Sequence, residues 1–277
     1  MASGISKLVP TDPEKVMVIR ALTPDVKTFS TPFLRFGRVK IGGRGTAVRL
    51  ASGSTAVFSP VALTPTVRRE MDALGPAKYL VALDQEHHIF LEDWHKAFPD
   101  AKVVAPETLP AYRDKQGYGK IPEGSWRLFT ASASREGTLS VDAEFDREFD
   151  FTYVDGHVNK ELVFNHRASG TLIEGDLLFN LPAYEQFSKS DLDAKSGLLT
   201  RLFVWLNNTQ GQATAQRRVL WHGVSQDRGA VNREVSRIAG WKFDRIVPCH
   251  GDVIESGGKG IFEKVMKWHL EAARKGQ

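Results

Sequence analysis

The sequence predicts an α/β fold, because strand patterns and helix patterns alternate along the chain. From residue 78 onward a strand, a helix that ends before Pro99, a second strand at 102–104 and a short helix after Pro106 follow one another. That order is typical of parallel strands joined by crossover helices. Residues 149–154 alternate apolar and polar side chains, as a half-buried strand does. A last strand over 243–247 precedes a final amphipathic helix over 260–274, so both halves offer strands followed by helices.

The first 60 residues are predicted to be rich in short β-strands. Candidates separated by glycine, serine and proline lie at 16–19, 33–36, 46–50 and 55–58. We expect the segment Gly42-Gly43-Arg44-Gly45 to form a hairpin turn rather than a phosphate-binding loop, since no Lys-Ser or Lys-Thr pair follows it.

Helix signals follow at residue 64 and again after residue 198. Thr64 can cap a helix that starts at Pro65 and stops at Gly75. Residues 182–223 are predicted to contain two helices, at 198–206 and 213–221, that pack over one end of the sheet as a lid. The alternative is that this helical pair completes the core.

Composition excludes several classes of protein. The 277 residues suffice for one large domain or two small ones, and 42% hydrophobic with 25% charged residues is ordinary for a globular protein. The net charge of +4, a pI of about 9.1 and the absence of any long run of like charges argue against nucleic-acid binding. Cys249 is the one cysteine, which fits a reducing compartment. With no signal peptide and no membrane-length apolar run, we expect a cytoplasmic protein without a membrane partner.

Metal-type residues follow directly on predicted strands. His157 follows the strand over 149–154, Asp176 follows the second strand of a hairpin at 162–173, and His250 follows the strand over 243–247. Each has a glycine neighbour, which would let the loop backbone approach a metal closely. Imidazole and carboxylate are ligands that zinc, iron and manganese accept. The adjacent His87 and His88, in a strand-to-helix loop of the other half, are further candidates.

These motifs resemble the metallo-β-lactamase-fold superfamily of metal-dependent hydrolases. In that family a cluster His-x-His-x-Asp-His is followed by Gly-His, by Gly-Asp after a hairpin, and by Pro-x-His-Gly. Gly156-His157, Gly175-Asp176 and Pro248-Cys249-His250-Gly251 are similar to the last three motifs, and the resemblance covers the chain from about residue 46. It implies one αββα domain over residues 1–277, with two mixed β-sheets face to face and helices on both outer faces. Residues 1–45 would be a β extension and 182–223 a helical insertion.

The first cluster departs from the family pattern. Where four ligands are expected, the chain reads Asp84-Gln85-Glu86-His87-His88, so at least two are missing. The spacing to the next helix aligns His88 with the last histidine of the cluster and His87 with its aspartate; an alignment shifted by one or two residues is the alternative. Asp84 or Glu86 could then supply oxygen ligands instead. In this the chain is similar to an uncharacterised branch of the superfamily with a reduced first cluster.

The resemblance implies a metal-dependent hydrolase of a small ester, thioester, lactone or amide that uses a metal-bound hydroxide. The implied ligands of the divalent metal, zinc first and iron or manganese as alternatives, are His87, His88, His157, Asp176 and His250. Asp176 would be the catalytic residue, bridging if two ions bind. Asp155 or Asp252 would orient the imidazoles, although turn or cap roles explain both equally well. The alternative function is a degenerate member that binds a ligand or partner without hydrolysis.

Overall fold

The computed structural model describes residues 8–276, and its largest sheet has seven strands. In sheet order these are β1 (Val18–Ala21), β2 (Val26–Thr31), β5 (Gly43–Arg49), β6 (Thr55–Phe58), β7 (Ala77–Val81), β8 (Lys102–Pro106) and β9 (Trp126–Phe129). The pairs from β1 to β6 are antiparallel, whereas those from β6 to β9 are parallel. The parallel half is the predicted strand–helix–strand region.

A second, four-stranded sheet contains the central hairpin. It consists of β10 (Phe149–Val154), β11 (Glu161–His166), β12 (Thr171–Glu174) and β13 (Arg245–Pro248). Strands β10 and β12 are both antiparallel to β11, and β13 is parallel to β12. The carboxyl ends of β10, β12 and β13 therefore lie at one edge of this sheet. A small hairpin of β3 (Leu34–Arg35) and β4 (Val39–Lys40) stands apart from both sheets.

Helices connect and flank the strands of the two sheets. They are α1 (Pro13–Val16), α2 (Pro65–Leu74), α3 (Leu91–Ala97), α4 (Leu109–Lys115), α5 (Ala131–Glu136), α6 (Ala143–Glu148), α7 (Tyr184–Phe187), α8 (Leu198–Leu206), α9 (Thr214–Val219), α10 (Arg228–Ala239), α11 (Gly258–Val265) and α12 (Lys267–Lys275). Within residues 8–276 none of them is long and apolar enough to cross a bilayer.

Three apolar clusters define the four layers. Between the sheets, aromatic side chains such as Phe58 and Phe164 pack at a ring-centroid distance of 5.1 Å. Outside the first sheet, α2, α3 and α4 bury residues such as Trp94. Outside the second sheet, α10 and α11 bury residues such as Val235 and Phe262. Burying both faces of each sheet is the αββα arrangement expected from the sequence.

Several local predictions need correction. Residues 43–45 are not a hairpin turn but the start of β5, which pairs with β2. The polar-rich strand β2 gave too weak an apolar alternation to be recognised. A Cβ atom on Gly45 would lie 2.9 Å from the Ser59 carbonyl oxygen, so close packing explains that glycine. The predicted final helix is two helices that meet at Met266.

The segment 182–223 has helices close to the predicted positions. Helix α8 leaves Leu198, Leu202 and Trp205 largely exposed, while its Phe203 packs against Phe179 at 6.0 Å. The π-helical turn Leu220–Val224 follows α9 directly. That this segment opens and closes as a lid stays a prediction.

Candidate metal centre

Three predicted ligands meet where the two sheets face each other. His87 lies in the loop after β7, Asp176 after β12 and His250 after β13. One ligand atom of each lies within 4.8 Å of the other two. The loop that contains His87 is also joined to the loop between β10 and β11, by the backbone hydrogen bond from the Gln85 N–H to the Asn159 carbonyl, 2.9 Å long. The topology therefore brings residues from distant parts of the chain into one small cluster.

The two imidazoles of this cluster are oriented through their Nδ1 atoms. Nδ1 of His87 lies 2.8 Å from Oδ1 of Asp84, and Nδ1 of His250 lies 2.7 Å from the Gly42 carbonyl oxygen. Because carboxylate and carbonyl oxygens accept hydrogen bonds, both Nδ1 atoms carry protons. The two Nε2 atoms are only 3.1 Å apart, so neutral rings point their lone pairs at each other. A shared proton or a cation resolves that repulsion.

Asp176 completes the cluster with a buried carboxylate. Its Oδ2 accepts a hydrogen bond from Nδ2 of Asn159 at 2.6 Å. Its Oδ1 lies 3.2 Å from Nε2 of His250 but has no hydrogen-bond partner of good geometry. Burial would raise the pKa of Asp176, yet contact with His250 and the nearby imidazoles outweighs it and lowers the pKa. An unpartnered buried carboxylate oxygen next to two imidazole lone pairs is the donor set that a divalent cation takes.

Glu161 stabilises the loop after β12, which contains Asp176. Its carboxyl group accepts hydrogen bonds from the backbone N–H groups of Gly175 and Asp176, at 2.5 and 3.0 Å. A Cβ atom on Gly175 would lie 3.2 Å from both Glu161 oxygens and from Nδ1 of His87. That glycine thus makes room for protein groups behind the cluster rather than for the metal itself.

Gly42 is a part of the site that the sequence did not indicate. Its φ of +72° lies in the left-handed region that favours glycine, and its carbonyl then meets His250. A side chain there would also collide with Gln186, whose amide oxygen accepts the N–H of Gly251. The signal was present in the Gly-Gly pair, but a turn explained the pair equally well.

His157 lies beside Asp176 but outside the cluster of three. Its Nε2 is buried and has no hydrogen-bond partner, while its Nδ1 accepts the Asn159 N–H at 3.2 Å. In a neutral ring this contact leaves the proton on Nε2. Burial lowers the pKa of His157, against the opposing effect of the Asp176 charge. To ligate a metal through Nε2, the ring would have to move its proton to Nδ1 and give up the hydrogen bond from the Asn159 N–H.

The structure does not bring His88 to the cluster. Nδ1 of His88 lies 3.0 Å from a guanidinium nitrogen of Arg113, and its ring packs edge-on against Tyr118 at 4.8 Å. Burial and the Arg113 charge lower the pKa of His88 to about 4. Its neighbour His87 behaves oppositely: burial opposes protonation, but the charge of Asp84 raises the pKa of His87 well above the usual value. Adjacent side chains in this turn point to different surroundings, so only one of the pair reaches the site.

The acidic residues predicted as ligands or orienters have other partners. Glu86 pairs with Arg35 at 2.8 Å and accepts the Tyr112 hydroxyl at 2.9 Å. Asp155 pairs with arginines of two helices, and Asp252 accepts the N–H of Glu185 in the first turn of α7. Neither of these contacts involves an imidazole of the cluster. The orienting role belongs instead to Asp84 and to the Gly42 carbonyl.

Comparison with known families places the chain. A family model described as "Domain of unknown function (DUF4336)" matches residues 34–222. The chain belongs to this family. The DUF4336 match includes His87, His157 and Asp176 but ends before His250. Among curated proteins none matches the chain significantly. That the reduced first cluster marks a branch of its own stays a prediction.

Solved structures similar to this DUF4336 chain have the metallo-β-lactamase fold. The metallo-β-lactamase FIM-1 from Pseudomonas aeruginosa, in its mono-zinc form, is 13% identical with a TM-score of 0.57 over 93% of this chain and 96% of that one. A metallo-β-lactamase from Erythrobacter litoralis is 14% identical, with a TM-score of 0.59 over 92% and 97%. The flavodiiron core of Flv1 from Synechocystis sp. PCC6803 is 11% identical, with a TM-score of 0.63 over 92% and 61%. The chain has this fold, as the sequence motifs predicted.

Proposed function

We propose that the chain is a hydrolase that uses one divalent cation, held by His87, Asp176 and His250, to cleave a small ester, thioester, lactone or amide. The observation that carries this proposal is that Nε2 of His87 lies 3.1 Å from Nε2 of His250, while the Nδ1 proton of each ring is directed at an oxygen. Two imidazoles bound tetrahedrally at about 2.05 Å would have nitrogens about 3.3 Å apart. The donor set suits zinc, with iron and manganese as alternatives.

One cation is proposed rather than two because the residues for a second are engaged elsewhere. At the positions of the first cluster, Asp84 orients His87 and Glu86 pairs with Arg35. His157 remains the fourth predicted ligand, with its unpartnered Nε2 beside Asp176. The mono-zinc form of FIM-1 is a precedent for a single zinc ion in this fold.

The chemistry divides between the cation and the chain. A bound divalent cation lowers the pKa of water and polarises a carbonyl group. Asp84 and the Gly42 carbonyl hold the imidazole rings in the orientation needed for binding, and Asn159 holds Asp176. The ring of Phe179 packs against that of His250, with 4.8 Å between the ring centroids.

Metal binding by variants of the adjacent His87 and His88 tests the proposal. Wild type, His87→Gln and His88→Gln would be dialysed against zinc, iron(II) or manganese, and bound metal would be counted by elemental analysis. We expect about one zinc ion per chain in wild type and in His88→Gln, and at least about a hundredfold weaker binding in His87→Gln. His157→Gln, measured alongside, shows whether that imidazole is a fourth ligand.

Turnover is measured on the same samples. A panel of esters, thioesters, lactones and amides should be hydrolysed by the zinc-loaded wild type and not by His87→Gln. Metal without turnover would favour the ligand-binding alternative. A wild type that takes up none of the three metals would end the hydrolase proposal.

A further inference from the structure

Two cavities meet at His250 beneath the β3–β4 hairpin. The first, of about 400 Å³, lies beside His87 and is lined by apolar side chains such as Phe33, Ile89 and Phe90. The second, of about 250 Å³, lies beside Asp176 and is lined by apolar side chains such as Val158, Phe203 and Leu220. We call them the His87 cavity and the Asp176 cavity. Arg35, Phe36 and His250 line both, so the proposed cation lies where the cavities join.

The arginine side chains of these walls are paired within the protein. Arg35 forms its ion pair with Glu86, and the buried Arg44 donates to the carbonyl groups of Pro248 and Gly251, at 2.6 and 2.7 Å. In the Asp176 cavity, the Gln216 side-chain oxygen accepts the Phe179 N–H, and the Gln216 side-chain nitrogen donates to the Phe179 carbonyl. Among the described lining residues, both arginines are thus occupied. A phosphate or carboxylate group of a ligand in either cavity would lose its hydrating water without gaining an unpaired arginine as a partner.

We propose that the substrate is an uncharged acyl compound with an apolar group on each side of the bond that is cleaved, one in each cavity. This rests on the proposed function, which places the carbonyl group at His87, Asp176 and His250. Burying hydrocarbon in both cavities stabilises the complex without any charged contact. For an ester, one water is consumed: its oxygen bonds to the carbonyl carbon, the acyl C–O bond breaks, and the alcohol leaves with a proton from that water.

Chain-length dependence tests the substrate class. The zinc-loaded wild type would be assayed on p-nitrophenyl esters with acyl chains of two to ten carbons. We expect kcat/KM to rise about two- to fourfold per methylene until the cavity is full, as burial of hydrocarbon predicts. Equal kcat/KM along the series, with turnover intact, would overturn the proposal and leave the hydrolase standing.

Blocking each cavity locates the acyl chain. Ile89→Trp narrows the His87 cavity and Val158→Trp the Asp176 cavity, whereas Leu128→Trp, an exposed position on β9 that lines neither, is the matched control. We expect one of the first two variants to lose at least tenfold in kcat/KM on the decanoate ester while the acetate changes less than threefold. The Leu128→Trp variant should behave like wild type. The other of the first two variants narrows the cavity for the p-nitrophenyl group and should weaken hydrolysis of both esters alike. Equal losses on both esters in both variants would contradict the proposal.

A binding measurement separates this inference from the proposed function. The fluorescent fatty acyl probe methyl cis-parinarate would be titrated into metal-free wild type and the three metal-free tryptophan variants, so that the proposed hydrolysis does not consume the probe. Saturable binding that Ile89→Trp or Val158→Trp weakens at least fivefold, and Leu128→Trp does not, supports the apolar ligand even if no ester is hydrolysed. No saturable binding to wild type would overturn it.

Discussion

The two sides of the cluster are built differently. On the second sheet, the loops after β12 and β13 each direct a ligand-type residue to the site, and the loop after β10 places His157 next to them. On the first sheet, the loop after β7 contributes His87 alone, and its acids make other contacts. The second-sheet side thus provides most of the ligand-type residues, whereas the first-sheet side provides one imidazole and the carboxylate that orients it. This difference is what favours one cation over two.

Behind the second-sheet loops lies a layer of buried carboxyl groups. Glu161 accepts two backbone N–H groups of the Asp176 loop, and Glu174 accepts those of Leu177 and Leu178. Burial, together with neighbouring acidic groups, raises the pKa of both glutamates well above the usual value. Such groups hold the loop by satisfying its backbone donors, a role that the partly exposed Glu86 of the first sheet does not have.

Glu161→Ala should have the largest effect. It leaves two buried backbone N–H groups without acceptors, which costs about 2–5 kcal/mol in free energy of unfolding. Glu86→Ala, the matched change on the first-sheet side, removes a partly exposed ion pair and should cost less than about 1 kcal/mol. Urea unfolding at pH 7 measures both. Similar values for the two variants would remove the distinction between the two sides.

The support on the second-sheet side also predicts a pH dependence through His269. Its Nε2 lies 3.1 Å from the Ser225 hydroxyl, and Ser225 forms a β-bridge with His157. Burial, and then the Arg228 charge, lowers the pKa of His269 to about 4. Between its unfolded pKa of about 6.5 and the folded value, only the unfolded state binds the proton, so stability falls as the pH falls.

Through this histidine, the free energy of unfolding should fall by about 2 kcal/mol between pH 8 and pH 5. It is isolated by comparing wild type with His269→Gln, because other histidines titrate equally in both proteins. Urea unfolding at the two pH values should show a drop that is about 2 kcal/mol smaller in the variant. An identical drop in both proteins would mean that His269 becomes protonated without cost.

The sequence predicted the second-sheet side better than the first, for a physical reason. His157, Asp176 and His250 follow their strands almost directly, so the strand order brings them to one edge. The choice between His87 and His88 depends on a turn held by the Asp84 carboxylate, which accepts the N–H groups of Glu86 and His87. Nothing in the spacing of residues 84–88 specifies how that turn is rotated.

The buried contacts behind the site were hidden for a similar reason. Glu161 occupies the first position of β11 and is fully buried, although glutamate in a strand ordinarily indicates a solvent-facing position. Gly42 and its carbonyl depend on the pairing of β5 with β2, which joins residues far from the motifs that carry the chemistry. Such groups are recognisable only when the neighbouring loop is already in place.

Asp84→Asn tests whether the first-sheet loop supports His87, and it should have the smallest effect of the three substitutions. The amide oxygen can still accept the backbone N–H groups of the turn, so stability should change by less than about 1 kcal/mol. Loss of the negative charge next to Nδ1 makes the His87 ring a weaker donor at Nε2 and orients it less firmly. We therefore expect cation affinity to fall about tenfold, as is usual when the partner of a metal-bound histidine is changed.

Chelator competition with zinc measures this affinity, and Asp93→Asn is the control, because it removes the same charge from an exposed position on α3. If Asp84 were itself a ligand, as the family alignment allowed, the loss would approach that of His87→Gln rather than about tenfold. If affinity were unchanged, Asp84 would serve the turn alone, and the first-sheet side would contribute to the cation nothing beyond one imidazole.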